Sequence, residues 1–213
     1  MTTPAPGTDR PRGEAALQAL AGTTARAEAF YRAQVLDRLN GDMRRFVARM
    51  EMLFVATADA AGNCDCSLRA GPPGFVRVLD DRTLAYPEYR GNGVMASLGN
   101  LLENPHVGLV MYDFLGSTVG LHVNGRAAVV ENADLARRPG VTREVLDDME
   151  APAGRQPERW VVVEVGEAYI HCSKHVPLLA KLDKEIVWGT DDRRRKGGDY
   201  FHARSRRPPR PRT

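Results

Sequence analysis

The chain has 213 residues, 43% of them hydrophobic, and a formal net charge of +3, enough for one domain with a buried core and extra segments at either end. No apolar run approaches the ~20 residues of a membrane-spanning helix, and Met1–Gly7 lacks the charged and apolar regions of a secretory signal, so a cytoplasmic location away from any membrane is expected. The charge is uneven: Arg193–Thr213 holds nine Lys/Arg against Asp199 alone, a net +8, so the preceding 192 residues carry −5.

Residues 1–24 read as a disordered or loosely helical extension, with a short helix over Glu14–Leu20. Phe30, Tyr31, Val35 and Leu36 recur at helical spacing and predict a helix over Ala25–Leu39. Asn40-Gly41 breaks it, and Asp42 is placed to cap a second helix carrying Phe46 and Val47 to about Met50. The pattern then turns to short β-prone runs at Leu53–Ala58, Cys66–Arg69 and Phe75–Leu79, with Gly71-Pro72-Pro73-Gly74 as a turn. Asp80-Asp81-Arg82 makes a tight hairpin to Thr83–Tyr86.

Leu84 to Ala127 is the most informative stretch. A strand leads into the loop Tyr89-Arg90-Gly91-Asn92-Gly93, a helix begins at Val94, Asn104-Pro105 stops it, and Val107–Tyr112 and Val119–Val130 return as strands. A small-residue loop entering a helix leaves backbone N–H groups unpaired, a geometry suited to phosphate. Residues 134–158 form an acidic, partly helical insertion before a long strand over Trp160–Ile170, and His175–Leu182 is a further helix. Short antiparallel strands, polar turns and one internal helix predict a mainly β fold with peripheral helices, an antiparallel barrel with helices outside. Residues 25–190 form the domain, and 191–213 a basic, disordered tail. That tail lacks interleaved aromatics, so a solvated end is preferred over a nucleic-acid contact beyond nonspecific charge.

Three cysteines are too few for a disulfide framework. Cys64-Asp65-Cys66 and His171-Cys172-Ser173-Lys174-His175 together hold zinc-ligand residue types, but a one-residue gap on an extended segment is short of zinc spacing. They are taken as ordinary strand residues, with no metal. His122 alternates with Leu121 and Val123 and reads as structural; His106 follows Asn104-Pro105 and reads as surface.

Phe54–Asp59, Ser67-Leu68-Arg69, Gly71–Val76, Arg90–Asn100, Asn104-Pro105 and Val123–Ala127 occur in an order that resembles the pyridoxamine 5′-phosphate oxidase-like FMN-binding split-barrel family, in its predicted flavin-nucleotide-binding branch. The resemblance covers about residues 40–185. It implies a six-stranded split barrel, a homodimer, and FMN in clefts at the subunit interface. It places the FMN phosphate between the strand bearing Ser67 and Arg69 and the loop–helix with Tyr89, Arg90, Gly91, Asn92 and Ser97. Arg69 offers a planar fork of donors and Ser97 a hydroxyl near a helix start. Lys174, after the last long strand, is positioned in relatives to approach the flavin, where a cation favours the anionic reduced ring.

Relatives carry a basic residue about where Val94 and Met95 stand here. Its loss leaves Arg69 and Arg90 as compensators and leaves F420 or haem open as alternative cofactors. The C-terminal Arg and Trp pattern of the true vitamin B6 oxidases is not evident, so pyridoxine phosphate oxidation is not carried over. The implied activity is FMN-dependent oxidoreduction of an unknown small-molecule substrate, in which the flavin does the redox chemistry and no acid–base triad is needed. The competing reading is a non-catalytic protein that stores or senses flavin, F420 or haem.

Overall fold

The computed structural model describes residues 11–203, so residues 204–213 of the arginine-rich tail lie outside the described residues. Seven strands form one antiparallel sheet: β1 (Met52–Ala58), β2 (Cys64–Ala70), β3 (Arg77–Val78), β4 (Thr83–Glu88), β5 (His106–Tyr112), β6 (Gly120–Val130) and β7 (Arg159–His171). Their order is β2-β1-β5-β6-β7-β4-β3, with β2 and β3 at open edges. The sheet is not closed, and it has one more strand than the expected six. The shortest is β3, whose ladder is only Arg77↔Ala85 and Val78↔Leu84, less than the run expected over Phe75–Leu79. Phe75 and Val76 lie just before it and are buried as core instead. This is a split-barrel fold, mainly β, with helices outside.

Alternation produces the core. Leu53 and Val55 of β1, Val107, Leu109 and Met111 of β5, Leu121 and Val123 of β6, and Val161, Val163 and Val165 of β7 point to one side and are buried. Burial of apolar area on this scale is the main stabilising term, at ~25 cal/mol per Å². The β6–β7 ladder shifts register between Asn124 and Gly125. A Cβ on Gly125 would sit 2.0 Å from the Glu164 carbonyl oxygen, so the bulge requires glycine there.

Six helices accompany the strands among the described residues. α1 (Arg12–Leu20) and α2 (Thr24–Gln34) bury no residue. The second ends five residues short of the expected Leu39, because Val35 turns extended and Leu36 bridges to Ala168. α3 (Gly41–Val47) is capped by Asn40, whose side chain accepts from the Met43 N–H at 2.9 Å. Asp42, the expected cap, instead pairs with Arg45. α4 (Ala96–Glu103) lies against β1, β2 and β6. α5 (Asn132–Ala136) and α6 (Arg143–Met149) come from the acidic insertion. They bury Leu135 and Val145 against Trp160 and Val162 in a second, smaller core.

The helix expected over His175–Leu182 is absent. One 3₁₀ turn at Ser173–His175 is followed by chain without regular secondary structure. Pro177 removes an N–H and biases Val176 to the β conformation it adopts (φ −89°, ψ 121°). The segment then runs back over the molecule, with the Leu179 N–H donating to the Phe114 carbonyl at 2.7 Å and Lys181 pairing with Glu51. No described helix is long and apolar enough to cross a membrane.

Candidate functional site

Alternation on β2 sets the first wall of the site. Asp65, Ser67 and Arg69 share one face and are half-buried, while Cys64, Cys66 and Leu68 point the other way and are exposed. β4 supplies the second wall through Glu88, which is buried, and Tyr89 beyond it. The loop 90–95 closes one end. The Asn92 side chain accepts from the Val94 N–H at 2.9 Å, Gly93 takes a positive φ of 80°, and Met95 is left-handed at φ 54°. α4 therefore starts at Ala96, two residues later than the sequence suggests.

These walls enclose a cleft of about 880 Å³, within the ~300–1,000 Å³ usual for small-molecule sites. Ser67, Arg69, Tyr89, Arg90, Gly91, Asn92 and Ser97 all line it. Lys174 does not. It follows the far end of β7, whose 13 residues run roughly 40 Å at ~3.3 Å each, while Arg159 at the near end lines the cleft.

The donors expected to meet a phosphate already have partners. Arg69 Nε donates to Glu88 Oε1 at 2.7 Å, and its Nη1 to Ser67 Oγ at 2.8 Å. Ser97 Oγ donates to Asp65 Oδ2 at 2.6 Å and lies 2.9 Å from Ser67 Oγ. Since the single Ser97 proton goes to Asp65, the Ser67 hydroxyl must donate to Ser97. The chain of donors thus runs from Arg69 through Ser67 and Ser97 to Asp65. Arg90 Nη2 donates to Asp191 Oδ2 at 2.6 Å, and Lys196 lies 3.6 Å from the same carboxylate. Four acidic and four basic side chains line the cleft, so its formal charge is zero.

Burial pushes the Glu88 carboxyl up, and the Arg69 guanidinium pulls it partly back. Burial likewise pushes the Tyr89 phenol up to about 12. Both shifts mark a floor with little water.

Several cleft residues were not anticipated from the sequence. Ile186, Val187, Trp188 and Gly189 of the C-terminal segment lie across the cleft. Trp188 meets Tyr89 edge to face with centroids 5.1 Å apart. Lys196, assigned in the sequence to a plain tail, lines the cleft as well. Arg159 lines it too, and its Nε is buried with no hydrogen-bond partner. Period-two reading would have paired Asp65 with Ser67 and Arg69; nothing local in the sequence points to Trp188 or Arg159. Among the described residues no group of three or more His, Cys, Asp or Glu is placed to hold a metal, and all three cysteines are exposed.

The chain belongs to the pyridoxamine 5′-phosphate oxidase family, whose sequence pattern matches residues 39–172. Among solved structures it is similar to a HupZ variant from Group A Streptococcus, at 18% identity and TM-score 0.45, covering 62% of this chain and 99% of that one. An FMN-binding protein from Syntrophomonas wolfei is similar at 12% identity and TM-score 0.44, with 73% and 96% covered. The haem storage protein HutZ from Vibrio cholerae is similar at 18% identity and TM-score 0.39, with 63% and 94% covered. No curated protein matches the chain.

The residues present fit a phosphate-bearing planar cofactor in three respects. The cleft has the volume, Tyr89 and Trp188 give an aromatic wall, and the unpartnered Arg159 Nε is the mark of a missing polar group.

Proposed function

We propose that this protein is an FMN-dependent oxidoreductase that binds the flavin in the cleft between β2, β4 and the start of α4. The observation that carries the reading is the convergence of Ser67, Arg69, Ser97 and the 90–93 loop on one cleft with an aromatic wall. FMN, when bound, would supply hydride and single-electron transfer.

The chain's own residues would bind and orient it. Arg69 Nη2 makes no hydrogen bond among the described residues, so it remains available to a phosphate while Nε stays on Glu88. Ser67 and Ser97 fix the cradle's shape through their shared hydrogen bonds. Trp188 and Val187 would cover the ring system and exclude water.

The homodimer belongs to this proposal. Lys174 is too far along β7 to reach the cleft of its own subunit, so a role beside the flavin requires it to come from a second copy. Val94 and Met95 are exposed on the cleft rim, at 70% and 48%, where a second copy would cover them.

A second reading, binding of flavin, F420 or haem without turnover, is favoured by one observation. The segment around Ile186–Gly189 already roofs the cleft, which suits retention of a cofactor better than exchange of substrates. The absorption spectrum of the purified protein, with mass spectrometry of what heat releases, is the first test. Released FMN supports the flavin reading, and turnover of a nicotinamide nucleotide with an electron acceptor then separates enzyme from store. A colourless protein that takes up no added FMN refutes the flavin reading.

A further inference from the structure

The cations of the cleft are not equivalent. Arg69 holds Glu88, and Arg90 and Lys196 share Asp191. Arg159 makes no hydrogen bond and no ion pair among the described residues; Glu88 acts on it only through longer-range attraction. A guanidinium carries five donors; here the half-buried Arg159 has its Nε–H sealed from water without an acceptor, an expensive arrangement.

The surroundings of Arg159 repeat the pattern. In the β4–β7 ladder Arg159 lies directly opposite Glu88, and Tyr86 lies two residues before Glu88 on the same face. The Tyr86 hydroxyl is also buried without a partner. Burial holds its phenol far above the ordinary range, with Glu88 adding to the shift, so it stays protonated and can donate. Two guanidinium groups around one carboxylate leave a local charge of +1 in a cleft that is neutral as a whole. Of these two donors only Arg159 lines the cleft, Tyr86 being part of the main core; an unsatisfied buried donor in the cleft, beside an excess positive charge, describes an acceptor that belongs there.

We propose that Arg159, on the β4–β7 wall, is the residue that receives an oxyanion of the ligand in this cleft. This places the anion contact across from the Ser67–Ser97 cradle, whose hydroxyl protons are already taken, that of Ser67 by Ser97 and that of Ser97 by Asp65. It rests on the reading of the cleft as a ligand site but does not require the ligand to be a flavin. The oxyanion can be the phosphate of a bound cofactor or a free acid, and the probes below tell these apart.

The full-length protein is titrated calorimetrically with FMN, riboflavin and inorganic phosphate, alongside Arg159→Met and Arg159→Lys. Arg159→Met is expected to weaken FMN and phosphate binding roughly ten- to a hundredfold, the loss for one charge-assisted hydrogen bond. Riboflavin, which has no phosphate, should bind equally to both proteins, and Arg159→Lys should restore part of the loss. Phosphate binding that depends on Arg159 while neither flavin binds would support this site and refute the flavin reading. FMN and phosphate affinities unchanged in Arg159→Met would overturn the proposal, as would a wild-type protein that binds neither at millimolar concentration. If Arg159→Met does not fold, the Arg159 Nε–H resonance of the wild-type protein answers the same question. It should shift on addition of phosphate, and a resonance that phosphate leaves unmoved overturns the assignment.

Discussion

The Arg69–Glu88 pair allows a sharp test of the cleft floor, because the two halves of the pair should fail unequally. The side chains are 19% and 12% exposed and meet at 2.7 Å. Arg69→Met leaves Glu88 charged and poorly solvated, and breaking a buried pair from one side costs ~3–5 kcal/mol. We expect about 3 kcal/mol at neutral pH, since the cleft admits some water; for a chain of this size that is a drop in Tm of about 6–12 °C. Glu88→Gln still offers Arg69 a carbonyl oxygen and should cost only about 1 kcal/mol.

The pH dependence follows from the direction of the Glu88 shift, upward from burial and only partly offset by Arg69. Between the unfolded carboxyl value and the raised folded one, the native state binds more protons. The stabilising contribution is therefore full below about pH 4.5 and is lost as pH rises through the folded value. In Arg69→Met most of the offset is gone, Arg159 alone remaining, and the carboxyl rises further, so the deficit of that variant should shrink as the pH is lowered toward 4.5. Urea unfolding of both variants and the wild type at pH 4.5, 6 and 7.5 measures all of this. Equal, pH-independent losses in the two variants would refute the argument, because Glu88 would then be a solvated carboxylate.

Gly125→Ala should cost about 3 kcal/mol, read as a fall in Tm, because the added Cβ meets the Glu164 oxygen at the bulge. Trp188→Ala gives up one edge-to-face pair with Tyr89, about 1 kcal/mol; under the proposed flavin reading it should strip flavin during gel filtration while leaving Tm within a few degrees. His122 is held below its ordinary value by burial and by His171, 2.8 Å away, with Glu167 opposing. The unfolded state therefore takes up a proton first, stability falls as pH drops below about 6.5, and His122→Asn should flatten the urea midpoint between pH 7.5 and 5.5. Asp191→Asn removes the carboxylate that occupies Arg90 and Lys196, and should tighten phosphate binding several-fold by calorimetry.

The β framework was legible because its signals are local. Alternation marks β1, β5, β6 and β7, the turn residues bound them, and Asn104-Pro105 ends α4 with Asn104 extended as the residue before proline should be. Helix limits were less so: Val35 and Leu36 continue a helical apolar pattern but are claimed by the edge of β7 through Ala168. For the candidate site, the β2 face and the loop–helix were readable from small residues and a basic strand position. Their carboxylate partners were not. Glu88 follows Pro87 in a run with no polar alternation, and Asp191 lies more than 100 residues from the Arg90 it holds. Contacts of that separation leave no periodic trace.

Pairing Arg69, Arg90 and Lys196 with carboxylates, and leaving only Arg159 of the cleft's described cations unpaired, changes how a ligand can enter. An anion arriving in a cleft of bare cations gains their full attraction, whereas here it meets Arg159 directly and must exchange partners at the other cations. The exchanges are not equally easy. Asp191 and Arg90 are 63% and 57% exposed, and a pair of that kind contributes at most ~1 kcal/mol, so Asp191 leaves readily and is rehydrated. Glu88 is buried against the ladder, its carbonyl held by the Glu158 N–H at 2.9 Å, and has no comparable route to water. An oxyanion that meets Arg159 would thus leave Glu88 in place on Arg69, and only one that also reaches Arg90 would displace Asp191. Asp191 and Trp188 belong to one segment, so a ligand that drew Arg90 from Asp191 would act on the same stretch of chain that supplies the aromatic wall.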